Sequence, residues 1–420
     1  MAGSPKTDFT ASIRLKGANL NRSRHAFVCC CLVIGLAVGS VAQTPIFEDV
    51  SDAHLPVNDL VELTMDAMPA DIDGDGDLDI ILAMEHKPNI LLVNDGTGRF
   101  TNESAVRIPQ IPHDSEDVGV GDLDSDGDLD IVVVSEDDQV NELYLNRGNG
   151  TFEDASHLWP VTGISNALLV IDIEGDGDLD LLVGNNGQNF LLRNSGSGSF
   201  SDSTRNALPA FEDVTQDLEA GDVDGDGDLD LYVGNEGQDR LLINIGGARF
   251  VDETESRLPA LTQVETREAD FGDVDGDGDL DIILAATRFF MPTADRQNRL
   301  LINDGMGRFT DETQTRMPRD WDLTVDCDFV DLDGDGDLDV LVSNTASETT
   351  TTFAVRWIAY RNDGTGHFEN ARWMLPFTLK GKGFDAEAAD FNGDGRIDLY
   401  LCSRAGADRL ALGLPIEETP

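Results

Sequence analysis

A nine-residue acidic pattern, Asp-x-Asp-Gly-Asp-Gly-Asp-Leu-Asp in its fullest copies, recurs seven times at intervals of 50 to 59 residues. The copies begin at Asp71, Asp122, Asp172, Asp222, Asp273, Asp331 and Asp390. A period of this length belongs to radial or solenoid architectures, whose units bury their apolar faces against their neighbours. Positions 1, 3, 5 and 9 carry oxygen side chains, and Gly at position 6 permits the sharp turn that brings a position-7 carbonyl to the same point. That donor set suits a hard divalent cation, so Ca²⁺, up to one ion in each of the seven loops, is the expected cofactor.

The candidate ligands are Asp71, Asp73, Asp75, Asp77 and Asp79 in the first loop, then Asp122, Asp124, Asp126, Asp128 and Asp130 in the second. The third holds Asp172, Glu174, Asp176, Asp178 and Asp180, and the fourth Asp222, Asp224, Asp226, Asp228 and Asp230. The fifth holds Asp273, Asp275, Asp277, Asp279 and Asp281, and the sixth Asp331, Asp333, Asp335, Asp337 and Asp339. The seventh is the least acidic, with Asp390, Asn392, Asp394, Arg396 and Asp398, and is expected to bind most weakly. An EF-hand opens in the same way but needs a bidentate acid at position 12. Position 12 here is Leu82, Val133, Val183, Val233, Leu284, Val342 or Leu401, at the head of an apolar run that reads as a buried strand. The EF-hand is excluded.

Each unit offers four strand-like pieces. An alternating stretch precedes the loop, and the apolar run follows it. A third strand such as Asn89-Ile90-Leu91-Leu92-Val93-Asn94 then leads through a Gly-rich turn to a fourth that opens on Phe. The hairpin Phe recurs at 100, 152, 200, 250, 309 and 368, and the last loop has none after it. Ile46-Phe47-Glu48-Asp49-Val50-Ser51, ahead of the first loop, matches Phe152-Glu153-Asp154-Ala155-Ser156. The expected fold is all-β: a seven-bladed β-propeller of four-stranded antiparallel blades, its ring closed by the N-terminal strand completing the last blade. The last unit's own strands are expected at 384–390, 398–403 and 408–413.

Over roughly residues 44–414 these units resemble the FG-GAP/VCBS repeats of integrin alpha-chain propellers and of many bacterial secreted proteins. The resemblance is carried by the acidic loops, the Leu-x-x-Asn hairpins and the Phe-x-Asp-x-Ser/Thr strands. It implies a propeller and calcium binding. It does not imply an activity, because the fold hosts adhesion modules, lectins and a few polysaccharide lyases.

Residues 1–42 read as a signal peptide: Lys6, Arg14, Lys16, Arg22 and Arg24 lead an apolar stretch that ends in Ser40 and Ala42. Residues 43–420 are then one secreted, periplasmic or cell-surface domain with no membrane insertion after cleavage. The residue before Cys29 is Val28, which argues against lipoprotein processing. Cys327 and Cys402 read as buried thiols or as a disulfide between neighbouring blades. A formal net charge of −52 makes nucleic acid and anionic membrane poor partners. No coiled coil or tail specifies an oligomer, so a monomer is expected.

Five residues before most loops stands an acid: Asp66, Asp117, Asp217, Glu268, Asp326 and Asp385, with Ala167 the exception. In a propeller these line the central channel, either as a cation-binding ring or as a solvated wall. The connections after the second strand lengthen in the fifth and sixth units and gather aromatic and basic residues. Phe289, Phe290, Trp321, Arg356, Trp357, Tyr360 and Trp373 are the ligand-face candidates, with Arg288, Arg319 and Arg372 beside them. The alternative is that Trp321 and Trp373 cap blade ends. No Gly-x-Ser-x-Gly, His-x-x-x-His or Cys-x-x-Cys occurs, and the histidines share no spacing. The expected function is a non-catalytic recognition or adhesion module for an extracellular protein. A glycan-binding propeller is the alternative, with a calcium-dependent polysaccharide lyase using Lys380, Arg356 or Tyr360 as a further one.

Overall fold

The computed structural model describes residues 44–56, 60, 63–136, 139–260, 264–347, 357–376 and 382–415. The proposed leader, with Cys29 to Cys31, lies outside the described residues, as do Arg356 and Lys380.

Among the described residues, twenty-eight strands repeat in sets of four. The first strands of the units are β2 (Thr64–Ala70), β6 (His113–Gly121), β10 (Ser165–Ile171), β14 (Asp213–Gly221), β18 (Thr266–Gly272), β22 (Asp322–Val330) and β26 (Gly383–Ala389). The second strands start on the last aspartate of each acidic loop: β3 (Asp79–Lys87), β7 (Asp130–Ser135), β11 (Asp180–Gly187), β15 (Asp230–Asn235), β19 (Asp281–Ala286), β23 (Asp339–Ser347) and β27 (Asp398–Ser403). The third strands are β4 (Ile90–Asn94), β8 (Glu142–Asn146), β12 (Phe190–Asn194), β16 (Arg240–Asn244), β20 (Arg299–Asn303), β24 (Trp357–Asn362) and β28 (Arg409–Gly413). The fourth strands are short: β5 (Phe100–Asn102), β9 (Phe152–Asp154), β13 (Phe200–Asp202), β17 (Phe250–Asp252), β21 (Phe309–Asp311) and β25 (Phe368–Asn370). In the last unit that edge position is held by β1 (Phe47–Asp49), which pairs antiparallel with β28.

All pairing is antiparallel. Units one and two share a continuous sheet because β3 runs on to pair with β6, and units three and four do so through β11 and β14. Every first strand carries a register shift at the channel-side position, for example between Thr64 and Asp66 or Thr215 and Asp217, and between Ser165 and Ala167 in the unit that lacks the acid. A bulge there re-aims one side chain and sharpens the local twist. Each first strand packs on the next, from β2 through β26, and β26 packs on β2.

The core lies between units. Seven buried clusters each draw on two consecutive units, because the second and third strands have apolar residues on both faces. One of them joins the last unit to the first: Tyr400, Cys402, Leu410 and Phe391 pack with Ile80, Leu82, Leu92 and Phe100. Within it the Phe100 and Phe391 rings meet edge to face at 5.8 Å. Cys402 sits in that cluster and Cys327 in another, and both are buried free thiols.

Two ligand-face candidates belong to this core. Trp357 opens β24 and is 0% exposed, and Tyr360 on the same strand is 2% exposed. Alternation along β24 sends Trp357 and Ala359 toward unit seven, and Ile358 and Tyr360 toward unit five. The sequence places these aromatics in an inserted connection, but the strand has already begun there. Trp357→Ala is therefore expected to destabilise the chain by about 3–5 kcal/mol, read from denaturant unfolding. An unchanged midpoint would contradict this packing.

Candidate metal centres

Each acidic loop is folded largely by its own carboxylates. In the first, Asp71 accepts the N–H groups of Gly74 and Gly76 at 2.9 and 3.1 Å, and Asp75 accepts that of Asp77 at 3.0 Å. Gly74 and Gly76 have φ of +76° and +99°, which an L side chain adopts only with strain. The same bonds recur in later loops, with Asp222, Asp273 and Asp331 at position 1 and Asp226, Asp277 and Asp335 at position 5.

The position-9 aspartate is buried where the second strand begins. One of its oxygens accepts a third-strand N–H at 2.8 Å: from Asn94, Asn146, Asn194, Asn244, Asn303 and Asn362, and from Gly413 in the last unit. Burial pushes Asp79, Asp130, Asp230, Asp281 and Asp339 up to about 7 and Asp398 to about 6. Burial raises Asp180 as well, helped by its contact with Glu174. Two backbone donors do not offset the loss of water around such a charge.

Position 3 supplies the test of fit. Asp73, Asp124, Asp224 and Asp275 each leave Oδ1 buried with no hydrogen-bond partner, and Glu174 leaves Oε2 so. In the sixth loop the orphan is Oδ1 of Asp331. An unpaired buried carboxylate oxygen is costly unless a cation meets it. Ligand oxygens converge as well. Those of Asp71, Asp73 and Asp75 lie within 4.8 Å of one another, and so do those of Asp122, Asp124 and Asp130. This donor set fits Ca²⁺. The last loop differs, because Arg396 pairs with Asp394 and donates to the Gly413 carbonyl at 2.9 Å.

Neighbouring units grip these loops. The hairpin asparagine of one unit donates to the position-2 carbonyl of the preceding loop: Asn146 to Ile72, Asn194 to Leu123, Asn303 to Val223, Asn362 to Val274. Asn94 of the first unit reaches Phe391 of the last in the same way, at 2.8 Å. Arginine adds a second grip that the sequence reading missed. One-turn helices α1 (Ser51–His54), α2 (Ser104–Arg107), α3 (Thr204–Ala207), α4 (Thr254–Arg257) and α5 (Thr313–Arg316) follow fourth-position strands, and Arg107, Arg257 and Arg316 end three of them. Each pairs with the position-3 aspartate of its own unit, Asp73, Asp224 or Asp275, at 3.0–3.1 Å. The signal was present as a recurring Glu-x-x-x-Arg at 103–107, 253–257 and 312–316.

Four of the channel-side acids bridge neighbouring units. Asp385 accepts the N–H of Ala67, Asp66 that of Val118, Asp117 that of Leu168 and Asp217 that of Ala269, at 2.7–3.0 Å. Each bond crosses from one unit to the next. All seven first strands contribute to a single cavity of about 70 Å³, in which Arg267 stands among Glu116, Asp217 and Glu268.

Of the remaining ligand-face candidates, Phe289, Phe290 and Trp321 are exposed at 41%, 59% and 54%. Trp373 is half-buried and packs against the core shared by units six and seven, as the capping alternative expects. The Phe289 and Phe290 rings stand edge to face at 6.5 Å, and the Arg319 guanidinium lies 5.5 Å over the Trp321 ring. Glu265, fully buried, accepts the backbone N–H groups of Phe289, Phe290 and Met291. Gln297 ties this segment to the next connection: it donates to the Pro318 carbonyl and accepts the Asp320 N–H. No sequence signal marks Glu265, which lies outside the repeat pattern.

Residues 71–133, 122–183, 172–233, 222–284, 285–342 and 349–401 match the FG-GAP-like repeat family. No curated protein matches the chain. Among solved structures it is similar to an Agrocybe aegerita lectin described as recognising non-reducing terminal N-acetylglucosamine. That pair is 17% identical, covers 85% of this chain and 87% of the lectin, and has a TM-score of 0.52. It is also similar to BBS1N in complex with ARL6DN, from a lead-soaked crystal, at 10% identity over 90% of this chain and 99% of that one, with a TM-score of 0.57. At these identities the likeness shows the fold alone, and that fold is a β-propeller. With repeats matched along most of its length, the chain belongs to the FG-GAP-like repeat family.

Proposed function

We propose that this chain is a secreted, calcium-stapled, non-catalytic recognition module. On this reading the seven units are blades of one ring closed by β1, and each loop holds a Ca²⁺. The ion would be held by side chains at positions 1, 3, 5 and 9 and by the position-7 carbonyl, where it supplies structural charge neutralisation. The observation that carries the metal is the buried position-3 oxygen left without a partner in five loops. Loop seven is the weakest site, because Arg396 engages its position-5 carboxylate. Closure is supported by the β1–β28 pairing, by the packing of β26 on β2, and by the single cavity that all seven first strands line.

Recognition falls to Phe289, Phe290 and Trp321, with Arg288 and Arg319. Glu265 holds the Phe289–Phe290 backbone in place, so the ordering of that loop precedes binding. Two phenyl rings set edge to face make a projecting apolar knob. A sugar site needs convergent polar groups beside its stacking ring, so an extracellular protein with an acidic, apolar-lined recess is the favoured partner. The double variant Phe290→Ser, Trp321→Ser tests this. Wild type is expected to retain a cell-surface protein in pull-downs and to leave a glycan array blank. The variant is expected to lose that protein by roughly 100-fold in affinity with calcium stoichiometry unchanged. A glycan-array signal that the substitutions abolish would replace the protein reading with a carbohydrate one, and depletion of a uronate polymer would make the chain a lyase.

A further inference from the structure

Four arginines span from a metal loop to the next unit. Arg107 pairs with Asp73 and donates to the carbonyls of Asn149 and Gly150 in the hairpin of unit two. Arg257 pairs with Asp224 and donates to Met306 of unit five at 2.6 Å. Arg316 pairs with Asp275 and donates to Thr365 of unit six at 3.0 Å. Each is braced by a glutamate four residues earlier, Glu103, Glu253 or Glu312, at 2.6 Å. In unit three the position-3 residue is the longer Glu174, and an arginine on strand β12, not on a one-turn helix, takes over. Arg193 pairs with Glu174 at 3.1 Å and donates to Gly247 of unit four at 2.8 Å. One contact is thus built from two different sequence positions.

The carboxylate that each arginine holds is the one whose other oxygen is buried and orphaned: Oδ1 of Asp73, Asp224 and Asp275, and Oε2 of Glu174. The hairpin glycine sits directly against the pair. A Cβ on Gly150, Gly307 or Gly366 would collide with the guanidinium, and the three glycines have φ of +65°, +68° and +75°.

We infer that Arg107, Arg193, Arg257 and Arg316 are positioning residues that couple calcium occupancy of one loop to docking of the next unit. The inference rests on the calcium reading above. One oxygen of the position-3 carboxylate is fixed by the guanidinium, which leaves the other turned toward the ion. The same guanidinium is fixed by the neighbouring hairpin. Binding the ion therefore stiffens the interface, and a docked interface presents a pre-aimed ligand. The coupling runs in one direction around the chain, from units one, three, four and five to units two, four, five and six.

The test compares wild type with Arg107→Gln, Arg257→Gln, Arg316→Gln combined, and with Arg257→Gln alone in case the triple variant does not fold. Calcium is titrated by calorimetry into the chelator-stripped full chain, and thermal unfolding is recorded in chelator and in saturating calcium. The expected result is unchanged stoichiometry with three sites, or one in the single variant, weakened about 10-fold or more. The calcium-induced rise in melting temperature shrinks accordingly. A purely structural role would lower both melting temperatures equally and leave every affinity alone, which would overturn the inference. Wild type that takes up no calcium would overturn the metal reading and this one together. Wild type that binds calcium, with variants indistinguishable from it, would overturn only this one.

Discussion

A chain that begins at residue 53 is expected to lose cooperative folding, whereas one that begins at residue 44 keeps it. The excised segment is held at both ends of the sheet it joins. Phe47, Glu48 and Asp49 pair with Gly413, Leu412 and Ala411. Ile46 donates to Met374 of unit six at 2.9 Å and accepts from Leu414 at 2.7 Å. Ser51 Oγ accepts the Leu410 N–H at 2.9 Å, the bond that Ser104, Ser156, Thr204, Thr254 and Thr313 make in other units. Phe47 is 2% exposed in the cluster shared by units six and seven. Losing that ring costs about 3–5 kcal/mol, and each broken hydrogen bond about 1 kcal/mol more. The sum rivals the whole stability of an ordinary domain, about 5–15 kcal/mol. Matching denaturant midpoints for the two chains would show that β1 is an ornament on a ring held elsewhere.

The loops and strands could be read because each rests on local chemistry that repeats. Seven acidic loops before an apolar run announce a turn into a buried strand, and every second strand begins on the final aspartate. Strands 384–390, 398–403 and 408–413 were expected in the last unit, and β26, β27 and β28 lie within a residue of those bounds. The match of Ile46–Ser51 to a hairpin strand pointed to the pairing with β28, although the partners lie more than 350 residues apart.

The ligand face was less legible. Trp357 and Tyr360 look alike in sequence to Phe289 and Phe290, since all four stand in a lengthened connection just after an arginine, Arg356 or Arg288. What separates them is where the third strand starts, and that is decided by ladder pairing of Trp357 with Ser343. The channel-side acids were legible only in part. Their spacing left a cation ring and a solvated wall both open, whereas Asp66, Asp117, Asp217 and Asp385 each accept an N–H of the adjacent unit, a relation between units that no single repeat encodes. The arginine grips were missed because they occur in only some units and from two different positions.

Removing calcium is expected to have the largest effect of any change of conditions. The loops bring five acids together within nine residues in six of the seven units, on a chain of net charge −52. Without cations those charges repel one another along the contacts where the units meet. Each ion bound at 100 times its dissociation constant adds about 2.7 kcal/mol of stability, and seven loops multiply that. The decisive measurement is a calorimetric titration of calcium into the chelator-stripped chain, with thermal unfolding followed at each step. The account predicts uptake approaching one ion for each of the seven loops, with the melting temperature rising by roughly 10 °C or more. Uptake of only one or two ions, or none, with the melting temperature unmoved would contradict it.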